Sequence, residues 1–296
     1  MTNFNIASLQ GLGTALITPF KKDKTIDFVA LGALIEQQIA SGVDYLVVLG
    51  TTSEAVTLNE MERLTVRDYI IRRVAGRVPL VLGVGGNNTQ HVLEEIQQVA
   101  LILKQHFAAI LSVCPCYNKP TQEGLYQHFT AIAEACPIPV ILYNVPGRTG
   151  VNLLPETVVR IREAQPEKIV GVKEASGNVT QIRHLLSLVP EDFLVVSGDD
   201  ALACELMEIG AKGLISVASN AFPAVYRRIV HEQDRTLSSQ YSEIVRLLFA
   251  EGNPAGIKCV LAQTQHIDNV LRLPLVACSK KLQAEIGDAL SALPVL

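Results

Sequence analysis

Short apolar runs alternate with longer amphipathic runs along the chain from residue 12 to about residue 218. Each apolar run is hydrophobic at consecutive positions, which is typical of parallel strands that are buried on both faces. The longer runs, such as DFVALGALIEQQIASG at 27–42, have helical periodicity, and several end at glycine, as helices often do. Eight strands are therefore predicted: Leu12–Thr18, Tyr45–Leu49, Leu80–Val84, Ala109–Val113, Val140–Tyr143, Ile169–Val172, Leu194–Ser197 and Leu214–Val217.

Eight such units without a break in composition favour an α/β fold, a closed (β/α)8 TIM barrel, over an open sheet. An open doubly wound sheet would need a glycine-rich GxGxxG turn after its first strand, and the sequence there is ALITPFKKD. After about residue 222 the pattern contains three helical stretches and no convincing strand. We therefore predict a catalytic barrel over residues 1–221 and a C-terminal helical extension, packed on the barrel, over residues 222–296.

Composition narrows the classes of function. The chain has 296 residues, 49% of them hydrophobic, and a formal net charge of −4 without a run of Lys or Arg, so neither nucleic acid nor a membrane surface is an expected partner. The N-terminus lacks the basic start and apolar run of a signal peptide, and no apolar run reaches bilayer length. The six cysteines lie mostly in apolar segments without a CxxC pair, which predicts reduced thiols in a cytoplasmic protein and no metal site.

Polar side chains gather at the ends of several predicted strands, where barrels of this kind carry out their chemistry. Hydroxyl groups follow the second strand in GTTSEA, and a phenol follows the fourth in CPCYNKP. A phenol and a guanidinium follow the fifth strand in ILYNVPGRTG, and an amine ends the sixth in GVKEASGN. The residues concerned are Thr51, Thr52, Tyr117, Tyr143, Arg148 and Lys173.

Each of these side chains has an ordinary structural explanation when it is considered alone. A lysine at a strand end can extend to solvent, a tyrosine can fill a core, an arginine can form a surface ion pair, and threonines can cap a helix. These explanations weaken when the residues are taken together, because the fold sends them to one rim. If Lys173 and Tyr143 both face inward, they share a cavity, and Gly171 beneath the lysine leaves room for its stem.

A lysine in such a cavity can act as a nucleophile. Removal from water and neighbouring cations lower the pKa of an amine, so that part of it is uncharged near neutral pH. An uncharged amine attacks a ketone to form a Schiff base, which converts the ketone's methyl group into a nucleophile through an enamine. Tyr and Thr hydroxyls can relay protons, and an arginine can bind a substrate carboxylate. This chemistry requires no cofactor.

Five segments, GTTSEAVTL, YNKPTQEG, YNVPGRTG, GVKEASGN and SGDDA, resemble in order and spacing the motifs of the dihydrodipicolinate synthase family. The family belongs to the pyruvate-dependent class I aldolases, and the resemblance extends from about residue 11 to the C-terminus. It implies a lyase that condenses pyruvate with L-aspartate 4-semialdehyde, in the first committed step toward diaminopimelate and lysine. It also implies a homotetramer built as a dimer of dimers.

The resemblance also implies roles for particular residues. Lys173 would form the Schiff base with pyruvate, and Tyr143 would donate and accept protons beside it. Thr51 would link Tyr143 to Tyr117, which in this family reaches in from a neighbouring subunit. Arg148 would bind the carboxylate of aspartate semialdehyde. The pyruvate-binding residues would be Thr52, Gly198 and Ile215.

Two residues depart from the family's usual motifs. Ser53 stands where a loop glycine is usual, and Cys116 where an aromatic residue, commonly a tyrosine, is usual. In lysine-inhibited members that tyrosine helps to form the inhibitor pocket at the tight dimer interface. Asn87 is retained from that pocket. The positions that differ are Ala55, Val56, Glu60, Arg63 and His91. We therefore predict weak or absent inhibition by lysine.

Other functions compete with this one. N-acetylneuraminate lyase and 2-keto-3-deoxy sugar acid aldolases use the same lysine, but a polyhydroxylated substrate leaves no obvious need for Arg148. A barrel that binds a ligand without catalysis would have no reason to combine a lysine, phenols and threonines. A phosphate-binding barrel is disfavoured by the acidic GDD sequence after the seventh strand, which would repel phosphate.

Overall fold

The structure, a computed structural model, describes residues 6–264 and 267–294. Strands form at all eight predicted places, and they close into one barrel in chain order, with adjacent strands parallel. Their bounds are β1 (Gly11–Ala15), β2 (Tyr45–Val48), β3 (Leu80–Gly83), β4 (Ala109–Val113), β5 (Val140–Asn144), β6 (Ile169–Glu174), β7 (Leu194–Ser197) and β8 (Gly213–Ser216). The predicted TIM barrel is confirmed.

A helix follows every strand, and in several cases a capping side chain fixes where it begins. The Asp27 carboxylate accepts hydrogen bonds from the first turn of the first helix, and Asn59 and Glu62 form a reciprocal capping box at the second. The helices are α1 (Phe28–Ala40), α2 (Glu60–Val74), α3 (Thr89–His106), α4 (Gln122–Ala135), α5 (Pro146–Thr149), α6 (Pro155–Ala164), α7 (Val179–Leu188), α8 (Ala203–Glu208), α9 (Pro223–His231), α10 (Arg235–Gln240), α11 (Ser242–Ala250), α12 (Ala255–Thr264) and α13 (Lys280–Ser291). Among the described residues, no helix has the length and apolar character that a membrane span requires.

Strand β6 extends two residues further than its apolar run predicts. The run ends at Val172, whereas the strand continues through Lys173 and Glu174. Lys173 pairs with Tyr143 of β5 and with Val196 of β7, so that neighbours on both sides hold it extended. The lysine is therefore part of the sheet and not of the loop that follows.

Two compact units divide the chain. Among the described residues, one unit joins residues 6–10 to Pro79–Ile215, and the other joins Gly11–Val78 to the residues from Ser216 onward. In the described part of the second unit, α9–α13 follow the last strand; the sequence predicts α9, α11 and α12, while α10 and α13 are additional. The predicted division into a barrel over 1–221 and an extension over 222–296 stays a prediction.

Candidate active site

The lysine and the tyrosine that the sequence singles out lie side by side at the carboxyl ends of β5 and β6. They are direct partners in the parallel ladder, so their side chains leave the sheet on the same face. The Lys173 Nζ lies 4.2 Å from the centroid of the Tyr143 ring. Both residues are buried, with 6% of Lys173 and 7% of Tyr143 exposed. An amine and a phenol are thus in contact within a site from which bulk water is largely excluded.

Gly198, which follows β7, makes room for the stem of the lysine. A Cβ atom at this position would lie 2.7 Å from Cε of Lys173 and 2.6 Å from Cβ of Ala175, closer than packed carbon atoms approach. The prediction that Gly171 makes this room is wrong. A Cβ atom on Gly171 would first meet the backbone of Leu194, so Gly171 allows β7 to approach β6 instead.

A second pair of ladder partners, Asn144 and Glu174, lies one residue beyond the tyrosine and the lysine and faces the opposite side of the sheet. Both side chains are buried. The Glu174 carboxylate accepts hydrogen bonds from Asn144 Nδ2 at 3.1 Å, from the backbone N–H of Ser176 at 2.9 Å and from Gln181 Nε2 at 3.3 Å. Burial raises the pKa of this carboxyl, and the hydrogen bonds from Asn144 and Ser176 oppose that effect.

This network ties the ends of β5 and β6 together behind the site, which fixes the lysine relative to the tyrosine. The sequence pattern did not lead us to predict this hydrogen-bond network. The available signal was a second polar residue directly after each reactive one, in the pairs Tyr143–Asn144 and Lys173–Glu174. Because the second residue of each pair must face the surrounding helices, it would be costly to bury unless it had a hydrogen-bond partner.

The loops after β4 and β5 carry Tyr117 and Arg148 and lie against each other. The backbone N–H of Tyr117 donates to the carbonyl oxygen of Thr149 at 3.4 Å. Tyr117 has a left-handed backbone with φ of 72°, and 88% of the residue is exposed. Arg148 is exposed on the short helix α5. Both side chains are therefore presented at the surface of this chain.

Thr51 and Thr52 belong to the other compact unit, in a 3₁₀ turn directly after β2. Thr51 is exposed, whereas Thr52 is buried and its hydroxyl oxygen accepts a hydrogen bond from Asn253 Nδ2 at 3.0 Å. Ser53 lies in the same turn, and the left-handed residue of this loop is Glu54, with φ of 56°. The position occupied by Ser53 thus needs no glycine.

Of the predicted site residues, the structure brings together Lys173, Tyr143 and Gly198. Ile215 is fully buried on β8, in the same unit as these three. The catalytic and binding roles of all the predicted residues stay predictions.

The fold and this contact define a class: a (β/α)8 barrel with a buried lysine beside a tyrosine at the carboxyl ends of adjacent strands. The Dihydrodipicolinate synthetase family matches residues 8–293, and the chain belongs to this family. The family expected from the five sequence motifs is therefore confirmed.

Known relatives match over nearly the whole chain. The chain is 46% identical to the 4-hydroxy-tetrahydrodipicolinate synthase of Parabacteroides distasonis over 295 residues, which covers 97% of this chain and 98% of the relative. It resembles the chloride-inhibited dihydrodipicolinate synthase of Acinetobacter baumannii complexed with pyruvate, with a TM-score of 0.90 and 39% identity, over 96% of this chain and 98% of that one. The enzyme of Cyanidioschyzon merolae with lysine bound matches with a TM-score of 0.89 and 33% identity, over 96% and 98% of the two chains. These matches favour the synthase over the sugar acid aldolases.

Proposed function

We propose that the chain is a lyase that condenses pyruvate with L-aspartate 4-semialdehyde to give 4-hydroxy-tetrahydrodipicolinate, the product in the names of its relatives. The observation that carries this proposal is the contact between the Lys173 amine and the Tyr143 ring in a buried site. The reaction serves the synthesis of diaminopimelate and lysine.

The lysine supplies the covalent chemistry. Its amine attacks the C2 carbonyl of pyruvate and, after the loss of one water, forms a protonated Schiff base. Removal of a methyl proton gives an enamine, whose carbon forms a bond to the aldehyde carbon of the second substrate. The amino group of that substrate then attacks the Schiff-base carbon, closes the ring and releases the lysine. One product and one water result, so no oxidant, reductant or cofactor is consumed.

Tyr143 moves the protons of these steps in our proposal, and Thr51 and Tyr117 extend the relay. Tyr117 acts from a neighbouring subunit. Its exposure supports this, because a large aromatic side chain held out on a constrained loop suits burial against another copy of the chain. We therefore include a homotetramer, a dimer of dimers, in the proposal, and sedimentation velocity tests the assembly. The reduced cysteines that the sequence predicts lead us to propose a cytoplasmic location as well.

One experiment tests the function directly. The protein is incubated with pyruvate and borohydride, its intact mass is measured, and the modified peptide is mapped. We expect one pyruvate-derived adduct per chain, at Lys173, and turnover of pyruvate with aspartate semialdehyde but not of N-acetylneuraminate. A protein that gains no mass, or that cleaves N-acetylneuraminate instead, contradicts the proposal.

Arg148→Ala is expected to weaken binding of the second substrate. The loss of a charge-assisted contact to its carboxylate should raise KM for aspartate semialdehyde by roughly 10- to 100-fold, measured in steady-state assays. Pyruvate adduct formation should be unchanged. Arg160→Ala, which removes an exposed arginine from α6, is the matched control and should behave as wild type. Equal KM values in the two variants would show that Arg148 does not bind the second substrate.

Gly198→Ala is expected to displace the lysine, because the added Cβ atom would lie too close to Lys173 Cε. A reacting group misplaced by about 1 Å can cost roughly 10²-fold in rate, and we expect a fall of about that size in kcat/KM for pyruvate. Gly86→Ala, in the loop after β3, serves as a control for the loss of a glycine, because its added Cβ atom would meet its nearest neighbour, Val92 Cγ2, at an ordinary contact distance of 3.5 Å. Full activity of the Gly198 variant would show that the Lys173 side chain can be accommodated without a glycine at this position.

Lysine is expected to inhibit the enzyme weakly or not at all. Cys116 lies where lysine-inhibited members have an aromatic residue, and it is exposed. Val56, another position that differs from the inhibited pattern, is 95% exposed, and its side chain has no polar group that could bind lysine. A titration of lysine into the coupled assay checks this, and half-inhibition below millimolar lysine is the contrary result.

A further inference from the structure

The C-terminal helical region forms buried hydrogen bonds to the loop that carries Thr51 and Thr52. We call residues 51–57 the threonine loop. Asn253, which lies just before α12, donates from Nδ2 to Thr52 Oγ1 at 3.0 Å, and both side chains are buried. Thr52, the residue predicted to hold the pyruvate carboxylate, is thus held by a side chain from near the other end of the chain.

An ion pair makes the second connection. The Lys258 Nζ of α12 donates to Glu54 Oε1 at 2.5 Å and to the carbonyl oxygen of Val270 at 3.0 Å. The other Glu54 oxygen accepts from the backbone N–H of Arg272 at 3.1 Å. Both charged side chains are 0% exposed, and the Lys258 Nζ lies 4.1 Å from the centroid of the Phe20 ring. Each oxygen of the Glu54 carboxylate therefore has a donor from the C-terminal region.

The Arg272 side chain makes the third connection, at the far end of the threonine loop. Its Nη1 donates to the carbonyl oxygen of Thr57 at 3.1 Å and to Glu62 at 2.7 Å. The loop is thus held at Thr52, Glu54 and Thr57 by residues of the C-terminal region.

A buried ion pair is not the simplest way to stabilise such packing. Both charges lose their hydration, and apolar side chains of similar volume often stabilise a protein as well or better. The pair does fix the geometry of the loop, because the Glu54 carboxylate has to lie where the Lys258 amine and the Arg272 backbone N–H can both donate to it. Glu54 also has a left-handed backbone. This conformation is unfavourable for a residue with a Cβ atom, so it persists only where the surrounding contacts impose it. Since Glu54 lies two residues after Thr52, this constraint acts on the backbone of the threonines.

We propose that Asn253 and Lys258 are positioning residues of the active site, which hold the threonine loop so that Thr51 and Thr52 stand in place for the reaction. This inference rests on the proposed function, in which Thr51 relays protons and Thr52 holds the pyruvate carboxylate. It assigns residues of the C-terminal helical region a positioning role in the reaction.

The first variant combines Lys258→Met with Glu54→Gln, which removes both charges and roughly preserves the side-chain volumes, so it is expected to fold. Formation of the pyruvate adduct is followed over time by borohydride trapping and intact mass. We expect the rate to fall about tenfold or more and KM for pyruvate to rise, because a displaced loop misplaces the binding groups. The thermal unfolding midpoint is measured on the same sample.

Asn253→Ala is the second variant, and it decides the question if the double variant does not fold. It removes one hydrogen bond to Thr52 without leaving a buried charge. We expect KM for pyruvate to rise roughly five- to tenfold, the fold-change that corresponds to one lost hydrogen bond.

Two controls separate positioning from general loss of stability. Lys281→Met removes an exposed lysine of α13 and should be indistinguishable from wild type. Ile286→Val, a buried position of α13, should lower the unfolding midpoint and leave the adduct rate unchanged. The inference is overturned if the folded loop-contact variants keep wild-type adduct rates and KM, or if Ile286→Val loses as much activity as they do. A wild-type protein that forms no adduct contradicts the proposed function instead.

Discussion

Lys173→Ala is expected to abolish the pyruvate adduct and to lower kcat by roughly 10³-fold or more. Without the amine no Schiff base forms, and the two substrates would have to react through the enol of pyruvate, without covalent activation. Steady-state assays with both substrates measure the rate, and intact mass after borohydride treatment measures the adduct.

The matched control for this variant is Lys212→Ala, which removes an exposed lysine just before β8. It should form the adduct and turn over as wild type. A Lys173 variant that still traps pyruvate, or that retains wild-type kcat, would show that the covalent step takes place elsewhere and would overturn the mechanism.

Tyr143→Phe is expected to lower kcat by about 10²- to 10⁴-fold, the usual contribution of a positioned proton donor and acceptor. The ring remains, so the 4.2 Å contact with the lysine amine and the packing of β5 should persist. The loss is therefore one of proton transfer, and it should appear as slow adduct formation with a nearly unchanged unfolding midpoint.

Tyr126→Phe, on the outer helix α4, controls for removal of a hydroxyl from a tyrosine. It should leave the adduct rate unchanged. If the Tyr143 variant also keeps the wild-type rate, the phenol is a packing residue and the protons move through another group.

The sequence predicted where strands form better than where they end. The apolar run alone gave the bounds of β4 and β7, because in those strands the hydrophobic residues coincide with the ladder. In β6 the ladder continues through a lysine and a glutamate, since pairing with β5 and β7 holds these polar residues extended. Hydrophobicity reports burial, and here two polar residues are buried as part of the sheet.

The candidate site was predictable to the extent that it depends on topology. Once the barrel is inferred, neighbouring strands must place Tyr143 and Lys173 side by side. The contacts that support the site were not predictable in this way. Lys258 is a single charged residue in the helical pattern NPAGIKCVLAQT, and its partner Glu54 lies 204 residues away in the chain. Local pattern carries no information on such a pairing, which depends on how distant segments meet.

The close approach of Gly198 to the lysine bears on redesign of the enzyme for bulkier 2-oxo acids. At position 198 there is no side chain left to shorten, and Ala175 closes the space beside it. Extra space next to the Lys173 amine therefore has to come from smaller side chains at other positions around the site. We expect a mutant library that randomises position 198 to consist mainly of members with strongly reduced activity, so directed evolution should leave this position as glycine.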